Sequence, residues 1–241
     1  MMARKAFLID TTFCTGCNTC TYKCIQEYQT HQLAARGLFR RLVLINDVGI
    51  LHHVCMHCND PSCVWACPTG ALQKTEVGAV VYDSSKCIGC KSCVLACPFH
   101  VPQWDEQART IFKCTMCIHR LAEGRQPACV EACPTGALDF GDYDAILQKA
   151  RREASERHLH IYGMEEAGGT SVFILTRKSP AEIGYPQVPK MLVRLGTVST
   201  LSVGLGAALV GLYALKKFRE RAQGETKESE TKESETMEKT G

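Results

Sequence analysis

The chain lacks most of what marks an enzyme or an exported protein. After Arg4 and Lys5 only residues 6–9 form an apolar run, which is too short for a signal peptide, and no twin-arginine pair lies near the N-terminus. There is no phosphate-binding glycine loop, no dinucleotide fingerprint and no Ser/His/Asp arrangement. These absences predict a chain without an export signal of its own and without catalytic apparatus.

Cysteine is missing from residues 134–241, although the chain contains 16 cysteines. All of them fall within residues 14–133. A disulfide-rich secreted domain can contain as many, but such a domain normally carries a signal peptide. The thiols are therefore predicted to stay reduced and to act as metal ligands. The formal charge of +3 counts them as neutral, so it does not indicate a nucleic-acid-binding protein.

The cysteines divide into four groups of four with none left over. The groups are Cys14, Cys17, Cys20 and Cys24; Cys55, Cys58, Cys63 and Cys67; Cys87, Cys90, Cys93 and Cys97; and Cys114, Cys117, Cys129 and Cys133. The pattern Cys-Val-x-Ala-Cys-Pro occurs at 63–68, 93–98 and 129–134, and Cys-Pro-Thr-Gly-Ala-Leu occurs at 67–72 and 133–138. The sequence thus repeats one half-ferredoxin unit.

The spacing of the groups predicts iron–sulfur clusters of the [4Fe–4S] type. In a Cys-x2-Cys-x2-Cys-x3-Cys-Pro run the first three thiolates bind one cluster and the fourth binds the neighbouring cluster. The second and third groups are close in sequence and are predicted to exchange their fourth cysteines, which leaves the first and fourth groups to pair. The predicted ligand sets are quartet 1 (Cys14, Cys17, Cys20, Cys133), quartet 2 (Cys24, Cys114, Cys117, Cys129), quartet 3 (Cys55, Cys58, Cys63, Cys97) and quartet 4 (Cys67, Cys87, Cys90, Cys93).

Other uses of the cysteines are less compatible with the spacing. Structural zinc sites separate two Cys-x2-Cys pairs by a long spacer, and they do not use compact groups ending in Cys-Pro. A [3Fe–4S] cluster would require a missing cysteine. With sulfur ligation complete, the histidines near 52–58 are predicted to lie around the ligands or on the surface. Four lysines near the cysteines are candidates to compensate cluster charge, or to be ordinary surface residues: Lys23, Lys86, Lys91 and Lys113.

The predicted fold is α+β, with two ferredoxin-like domains in tandem, one inserted in the other. The predicted four-cluster body covers residues 1–140, with the inner ferredoxin at about 50–103. A hairpin is predicted from strands at 71–75 and 79–83, and single helical turns at 63–67, 93–97 and 129–133. Residues 141–190 are predicted to contain a helix from Asp142 to about residue 159, a strand at 171–176 and a proline-containing connector.

The sequence predicts a C-terminal membrane anchor. Residues 195–215 contain no charged side chain, and a run of this length is long enough for a helix to cross a bilayer. The predicted span is 191–217. A buried core helix is the alternative. Residues 218–241 repeat a charged motif without apolar content and are predicted to be disordered.

The charges that flank the predicted span indicate its orientation. Lys216, Lys217, Arg219 and Arg221 follow the span, whereas Lys190 and Arg194 precede it. By the positive-inside tendency the tail is predicted to be cytoplasmic and the cluster body to lie on the outer, periplasmic side of the cell membrane. An inward-facing body is the alternative.

Four cysteine groups in this order, with four residues before Cys63 and eleven before Cys129, resemble the iron–sulfur subunits of dimethyl sulfoxide reductase-type molybdenum or tungsten oxidoreductases. Residues 161–175, the connector and a single span are similar to the beta subunit of membrane-bound formate dehydrogenases. The resemblance implies four [4Fe–4S] clusters between a catalytic pterin subunit and a membrane cytochrome b or quinone partner. It also implies that the chain itself is not an enzyme.

Three alternatives remain open at this point. One is the iron–sulfur subunit of a hydrogenase or of a polysulfide- or sulfoxide-type reductase complex. Another is a membrane-tethered polyferredoxin that carries electrons without a fixed enzyme. The third is a zinc-dependent interaction module, which would contain zinc and lack visible absorbance.

Overall fold

The apolar residues that follow Lys5 form one of the two inner strands of the main sheet. The computed structural model describes residues 3–190, all of which lie in one compact unit, Met1–Leu192. Residues 6–9 are all at most 4% exposed, because the strand is covered on both faces. This strand pairs antiparallel with residues 138–142 on one side and parallel with residues 172–176 on the other.

Residues 3–190 form ten strands and eight α-helices. The strands are β1 Lys5–Asp10, β2 Arg41–Ile45, β3 Ile50–Val54, β4 Leu72–Lys74, β5 Val80–Tyr82, β6 Gln103–Asp105, β7 Thr110–Phe112, β8 Leu138–Asp142, β9 His160–Tyr162 and β10 Val172–Thr176. The helices are α1 Thr19–Glu27, α2 His31–Ala35, α3 Ser62–Trp65, α4 Ser92–Ala96, α5 Ile118–Ala122, α6 Ala128–Glu131, α7 Tyr143–Arg157 and α8 Pro180–Ile183.

The main sheet has the strand order β8-β1-β10-β9, and three two-stranded hairpins join the cysteine groups. The hairpins are β2-β3, β4-β5 and β6-β7, so one stands between each group and the next. One face of the sheet packs against α7 through Ile146, Ala150 and Ala154. The opposite face turns toward the larger core, which contains cysteines of several groups. The sheet therefore supports the cysteine loops from one side.

Several predicted elements have counterparts in the structure. The predicted inner hairpin corresponds to β4-β5, and the short helical turns correspond to α3, α4 and α6. The helix after Asp142 corresponds to α7, and the strand near 171–176 corresponds to β10. Residues on both sides of the predicted boundary at 140 share the main sheet, because β1 lies between β8 and β10. No helix within residues 3–190 is long and apolar enough to cross a bilayer. The predicted span at 191–217 and the tail at 218–241 lie outside the described residues.

Candidate metal centres

The same backbone conformation occurs in all four cysteine loops. The residue two positions after the first cysteine of each group has a positive φ. These residues are Gly16 at 71°, His57 at 49°, Gly89 at 74° and Met116 at 60°. In three loops its backbone N–H donates to the sulfur of that first cysteine, at 3.5 Å for Cys14, 3.4 Å for Cys87 and 3.3 Å for Cys114. This turn directs amides toward sulfur, as a cluster requires.

Position 16 favours glycine through its φ of 71°, which lies in the left-handed region. A Cβ there would also meet Cδ1 of Ile45, an exposed side chain of the neighbouring β2-β3 hairpin that would have to shift. The first cysteine loop therefore lies directly against that hairpin.

The members of quartet 1 line one cavity, together with Asn18, Val43 and His52 among others. Burial is the largest cause that raises the pKa of Cys14, and thiolates from all three other members of the quartet add to it. The structure thus brings Cys133 to the first cysteine group, which is far away in sequence.

The members of quartet 4 line a second cavity, which is closed by Tyr82, Trp104 and Ile111 among others. Burial raises the pKa of Cys93 to about 11, and the thiolates of Cys67, Cys87 and Cys90 contribute to the rise. Cys67 thus lies with the third group of the sequence, although it belongs to the second.

Quartets 2 and 3 are recognised by their electrostatic neighbours. Burial raises the pKa of Cys24 to about 12, with contributions from the thiolates of Cys129 and Cys117. The pKa of Cys114 is raised well above its ordinary value, first by burial and then by the other three members of quartet 2. In quartet 3 burial raises the pKa of Cys63 to about 12, with contributions from Cys55 and Cys97.

Quartets 2, 3 and 4 each have a thiolate that acts electrostatically on a thiol of the preceding quartet. The Cys129 thiolate of quartet 2 contributes to the raised pKa of Cys20 in quartet 1. In the same way the Cys55 thiolate of quartet 3 acts on Cys114 of quartet 2.

The last link joins quartet 3 to quartet 4. The thiolate of Cys93, in quartet 4, contributes to the raised pKa of Cys63, in quartet 3. The quartets therefore lie in the order 1-2-3-4.

The two ends of this series are open to solvent and its middle is buried. Cys17 of quartet 1 and Cys90 of quartet 4 are exposed. Three thiols are buried in quartet 2 and three in quartet 3, and neither quartet has an exposed member. Electrons can therefore be exchanged with other molecules most directly at quartets 1 and 4.

A buried guanidinium lies between quartets 1 and 2. Arg41, at the start of β2, is 4% exposed. Burial, the largest single cause, lowers its pKa, but the thiolates of four cysteines, those of Cys129 and Cys20 first, together raise that pKa above the ordinary value. Arg41 therefore stays a cation in this buried position.

His52 pairs with Arg41 across the hairpin. The guanidinium donates to its Nδ1 over 3.1 Å, and its backbone N–H donates to the Tyr185 hydroxyl over 2.9 Å. Burial, together with the charge of Arg41, lowers the pKa of His52 to about 3. The imidazole is therefore neutral at physiological pH.

Two lysines approach quartet 3. Lys113 is 1% exposed and donates from Nζ to the carbonyls of Val80 and Cys114. Lys74 donates to the carbonyls of His57, Cys58 and Gly78 at 2.7–2.9 Å. Burial, followed by these two cations, lowers the pKa of His57 well below its ordinary value.

The four candidate lysines differ in position. Lys113 is buried beside the quartets, whereas Lys86 and Lys91 are 51% and 44% exposed and pair with surface carboxylates. Lys23 is half-buried. Arg41 was not predicted, although its alternation with Val43 in an apolar strand is a signal that it points inward.

The quartets have the donor chemistry of an iron–sulfur cluster. Four thiol sulfurs from two distant segments face one another, loop amides point at sulfur, and the buried Nε2 of His52 has no protein partner beside quartet 1. Within residues 3–190 no three His, Cys, Asp or Glu side chains are arranged to hold a single metal ion. These residues fit [4Fe–4S] clusters.

Repeated ferredoxin loops that carry cysteine quartets in series define a multi-cluster electron-transfer protein. The family model described as "4Fe-4S dicluster domain" matches residues 47–143. One of the chains of the anaerobic dimethyl sulfoxide reductase of Escherichia coli is 40% identical in an alignment that covers 62% of the present chain and 78% of the relative.

Two further relatives have related names. The iron–sulfur subunit of the nitrate-inducible formate dehydrogenase of E. coli is 31% identical, over 78% of this chain and 74% of the relative. One of the tetrathionate reductase subunits of Salmonella typhimurium is 38% identical over 70% of each sequence. The chain therefore belongs to the iron–sulfur subunits of the dimethyl sulfoxide reductase-type molybdenum and tungsten oxidoreductases. It is a non-catalytic electron-transfer subunit, and its cofactors are four [4Fe–4S] clusters.

Proposed function

We propose that this subunit relays electrons through quartets 1, 2, 3 and 4 in series, between a catalytic molybdenum or tungsten pterin subunit and a membrane cytochrome b or quinone-reactive partner. The observation that carries the proposal is the unbroken series of thiol neighbours between successive quartets. Electron tunnelling requires redox centres close together, and each quartet adjoins the next. The exposed thiols at the two ends support entry and exit there.

The proposal assigns all 16 cysteines as cluster ligands, in the four quartets defined above. Cavities shared by the members of quartets 1 and 4 support two of these sets. Mutual thiolate effects within quartets 2 and 3 support the other two. In each set the fourth ligand comes from a different group of the sequence than the other three.

For the catalytic partner we favour a formate dehydrogenase. The formate dehydrogenase relative aligns with 78% of this chain, compared with 62% for the dimethyl sulfoxide reductase relative. A sulfoxide- or tetrathionate-type reductase is the second candidate, because those relatives have the higher identities of 40% and 38%.

The membrane part of the proposal depends on sequence alone. Residues 195–215 carry no charge, and four basic residues follow between 216 and 221. We infer a single span with a cytoplasmic tail and a cluster body on the outer side of the membrane.

The cofactor assignment is tested on the full chain purified without oxygen. About sixteen irons and as many acid-labile sulfides per chain are expected, with magnetically coupled [4Fe–4S] signals in the EPR spectrum of the reduced protein. Zinc at about four per chain, with a colourless and iron-poor protein, would disprove the relay.

The partner assignment needs a separate experiment. After mild detergent extraction the subunit is expected to co-purify with a pterin-containing subunit whose substrate identifies the enzyme. Formate-dependent reduction of the clusters supports a formate dehydrogenase, and oxidation of reduced clusters by a sulfoxide or tetrathionate supports the second candidate. Isolation of the iron-loaded chain alone under the same extraction would favour a tethered carrier.

A further inference from the structure

Arg41 is a buried cation without a carboxylate partner. Within residues 3–190 no Asp or Glu oxygen lies within ion-pair distance of its guanidinium. Arg120 is the contrasting case, since it is equally buried and pairs with Glu27 and Glu131. A buried charge needs compensation of several kcal/mol, which for Arg41 has to come from other groups.

Those other groups are sulfur atoms of two different quartets. Arg41 begins β2, which packs against α1, the helix that carries Cys20 of quartet 1 and Cys24 of quartet 2. The buried Nε of Arg41 has no hydrogen-bond partner among the described residues. The charge of Arg41 counteracts the rise in the pKa of Cys129, in quartet 2. The same charge also acts on Cys20, in quartet 1, and on Cys24, in quartet 2. The cation therefore lies at the junction between two successive cluster sites.

His52 extends this arrangement into the cavity of quartet 1. A guanidinium has only donors, so the Nδ1 atom that faces Arg41 accepts, and the ring proton is on Nε2. His52 is 3% exposed, lines the cavity of quartet 1, and its Nε2 has no partner among the described residues. Buried donors rarely lack an acceptor, and the acceptors that a bound cluster offers at this place are sulfurs.

We propose that Arg41 is a counter-charge shared by the clusters of quartets 1 and 2, and that His52, fixed by Arg41 and Tyr185, donates its Nε2–H to a sulfur of the quartet 1 cluster. This inference rests on the proposed ligand sets. Both residues are positioning residues that set reduction potentials. One-electron reduction adds a negative charge to a cluster, and a buried cation or donor stabilises that charge and makes reduction easier.

The test is an anaerobic redox titration, followed by EPR, of the full-length iron-loaded chain. The signals are first assigned to quartets with single-ligand variants, Cys17→Ala for quartet 1 and Cys117→Ala for quartet 2. Arg41→Gln is expected to lower the equilibrium constant for reduction at least about tenfold at both quartets, which is about 59 mV for a one-electron couple. Quartets 3 and 4 are expected to change less than about threefold.

Three further variants separate the roles. Arg41→Lys keeps the charge and is expected to return both potentials toward the wild-type values. His52→Phe removes the donor and is expected to lower the potential of quartet 1 more than that of quartet 2. Arg125→Gln removes a surface cation, 52% exposed, and is expected to leave all four potentials unchanged.

Unchanged potentials in an iron-loaded Arg41→Gln chain overturn the proposal, and so does an equal shift in Arg125→Gln. A wild-type chain without iron refutes the proposed function instead. If Arg41→Gln fails to load iron, the proposal is tested on the iron-loaded wild-type chain, prepared with isotopically labelled arginine or histidine. Labelled arginine is expected to show nitrogen couplings with both clusters and labelled histidine with quartet 1, and their absence contradicts the proposal.

Discussion

Quartets 1 and 4, at the ends of the series, have glycine two residues after the first cysteine of their loops, whereas quartets 2 and 3, in its middle, have larger side chains there. Gly16 and Gly89 occupy this position in the end loops. Met116 and His57 occupy it in the middle loops, and both are 0% exposed. One backbone turn is thus used in two ways: with glycine it lets a loop reach the surface, and with a bulky residue it fills the space around a buried loop.

The surroundings of the loops differ in the same way. Large apolar side chains are exposed next to the end quartets, including Phe13 beside Cys14 and Ile88 beside Cys87, at 53% and 64%. The middle quartets adjoin buried cations, since Lys113 approaches quartet 3 and Arg41 lies between quartet 2 and the end quartet 1. The comparison indicates that the ends are built for contact with other proteins and the middle for protection from water.

The largest effect is expected from Cys67→Ala, which removes one end cluster. The variant is expected to lose about four of about sixteen irons, because Cys67 shares a site with Cys87, Cys90 and Cys93. EPR and iron analysis check this. Loss of the signal from quartet 3, which contains the cysteines nearest in sequence, would contradict the crossover between groups.

Met116→Ala tests the packing of the middle. Removing this fully buried side chain leaves a cavity beside quartet 2, and is expected to cost about 2–5 kcal/mol of the free energy of unfolding. The matched change at an end loop, Ile88→Ala, removes a side chain that is 64% exposed and is expected to cost about 0.5 kcal/mol or less. The urea concentration at which the clusters bleach anaerobically is expected to fall further for Met116→Ala than for Ile88→Ala, and equal decreases would refute the distinction between ends and middle.

A smaller effect is expected from Glu27→Gln. Glu27 is 16% exposed and accepts from Arg120 over 2.9 Å, which ties α1, the helix that carries Cys24, to α5 beside quartet 2. Loss of this charged hydrogen bond is expected to cost about 1.5–3 kcal/mol.

Glu131→Gln is the control for that change. Glu131 contacts the same guanidinium but is 54% exposed, so its replacement is expected to cost about 1 kcal/mol or less. The same bleaching assay measures both variants. A larger loss of stability in Glu131→Gln would show that Arg120 stabilises the region of quartet 2 through α6 and not through α1.

The sequence predicted the parts of the fold that depend on local signals. Gly78 between two apolar runs predicts the β4-β5 hairpin, and the prolines at 68, 98 and 134 limit the helical turns before them. The parallel pairing of β1 with β10 was not predicted, because it joins segments at opposite ends of the described residues and no local pattern encodes that contact.

At the candidate site the cysteines were predictable because their spacing is itself the signal. The histidines near 52–58 were predicted to lie around the ligands or on the surface, and His52 does lie beside quartet 1. The position of Arg41 and its hydrogen bond with His52 were not predicted, because they depend on the pairing of β2 with β3, in which Val43 is opposite His52. Lys113 was named among four lysines, but sequence alone did not separate it from the exposed Lys86 and Lys91.

The crossover of the fourth cysteines has a consequence for biosynthesis. With the proposed ligand sets, the sequence intervals closed by the clusters are nested, from 67–93 through 55–97 and 24–129 to 14–133. During translation the innermost interval is complete first and the outermost last, so each site can be filled before the next one closes around it. The order of maturation from the inside outward is then the same as the spatial order of the quartets from 4 to 1.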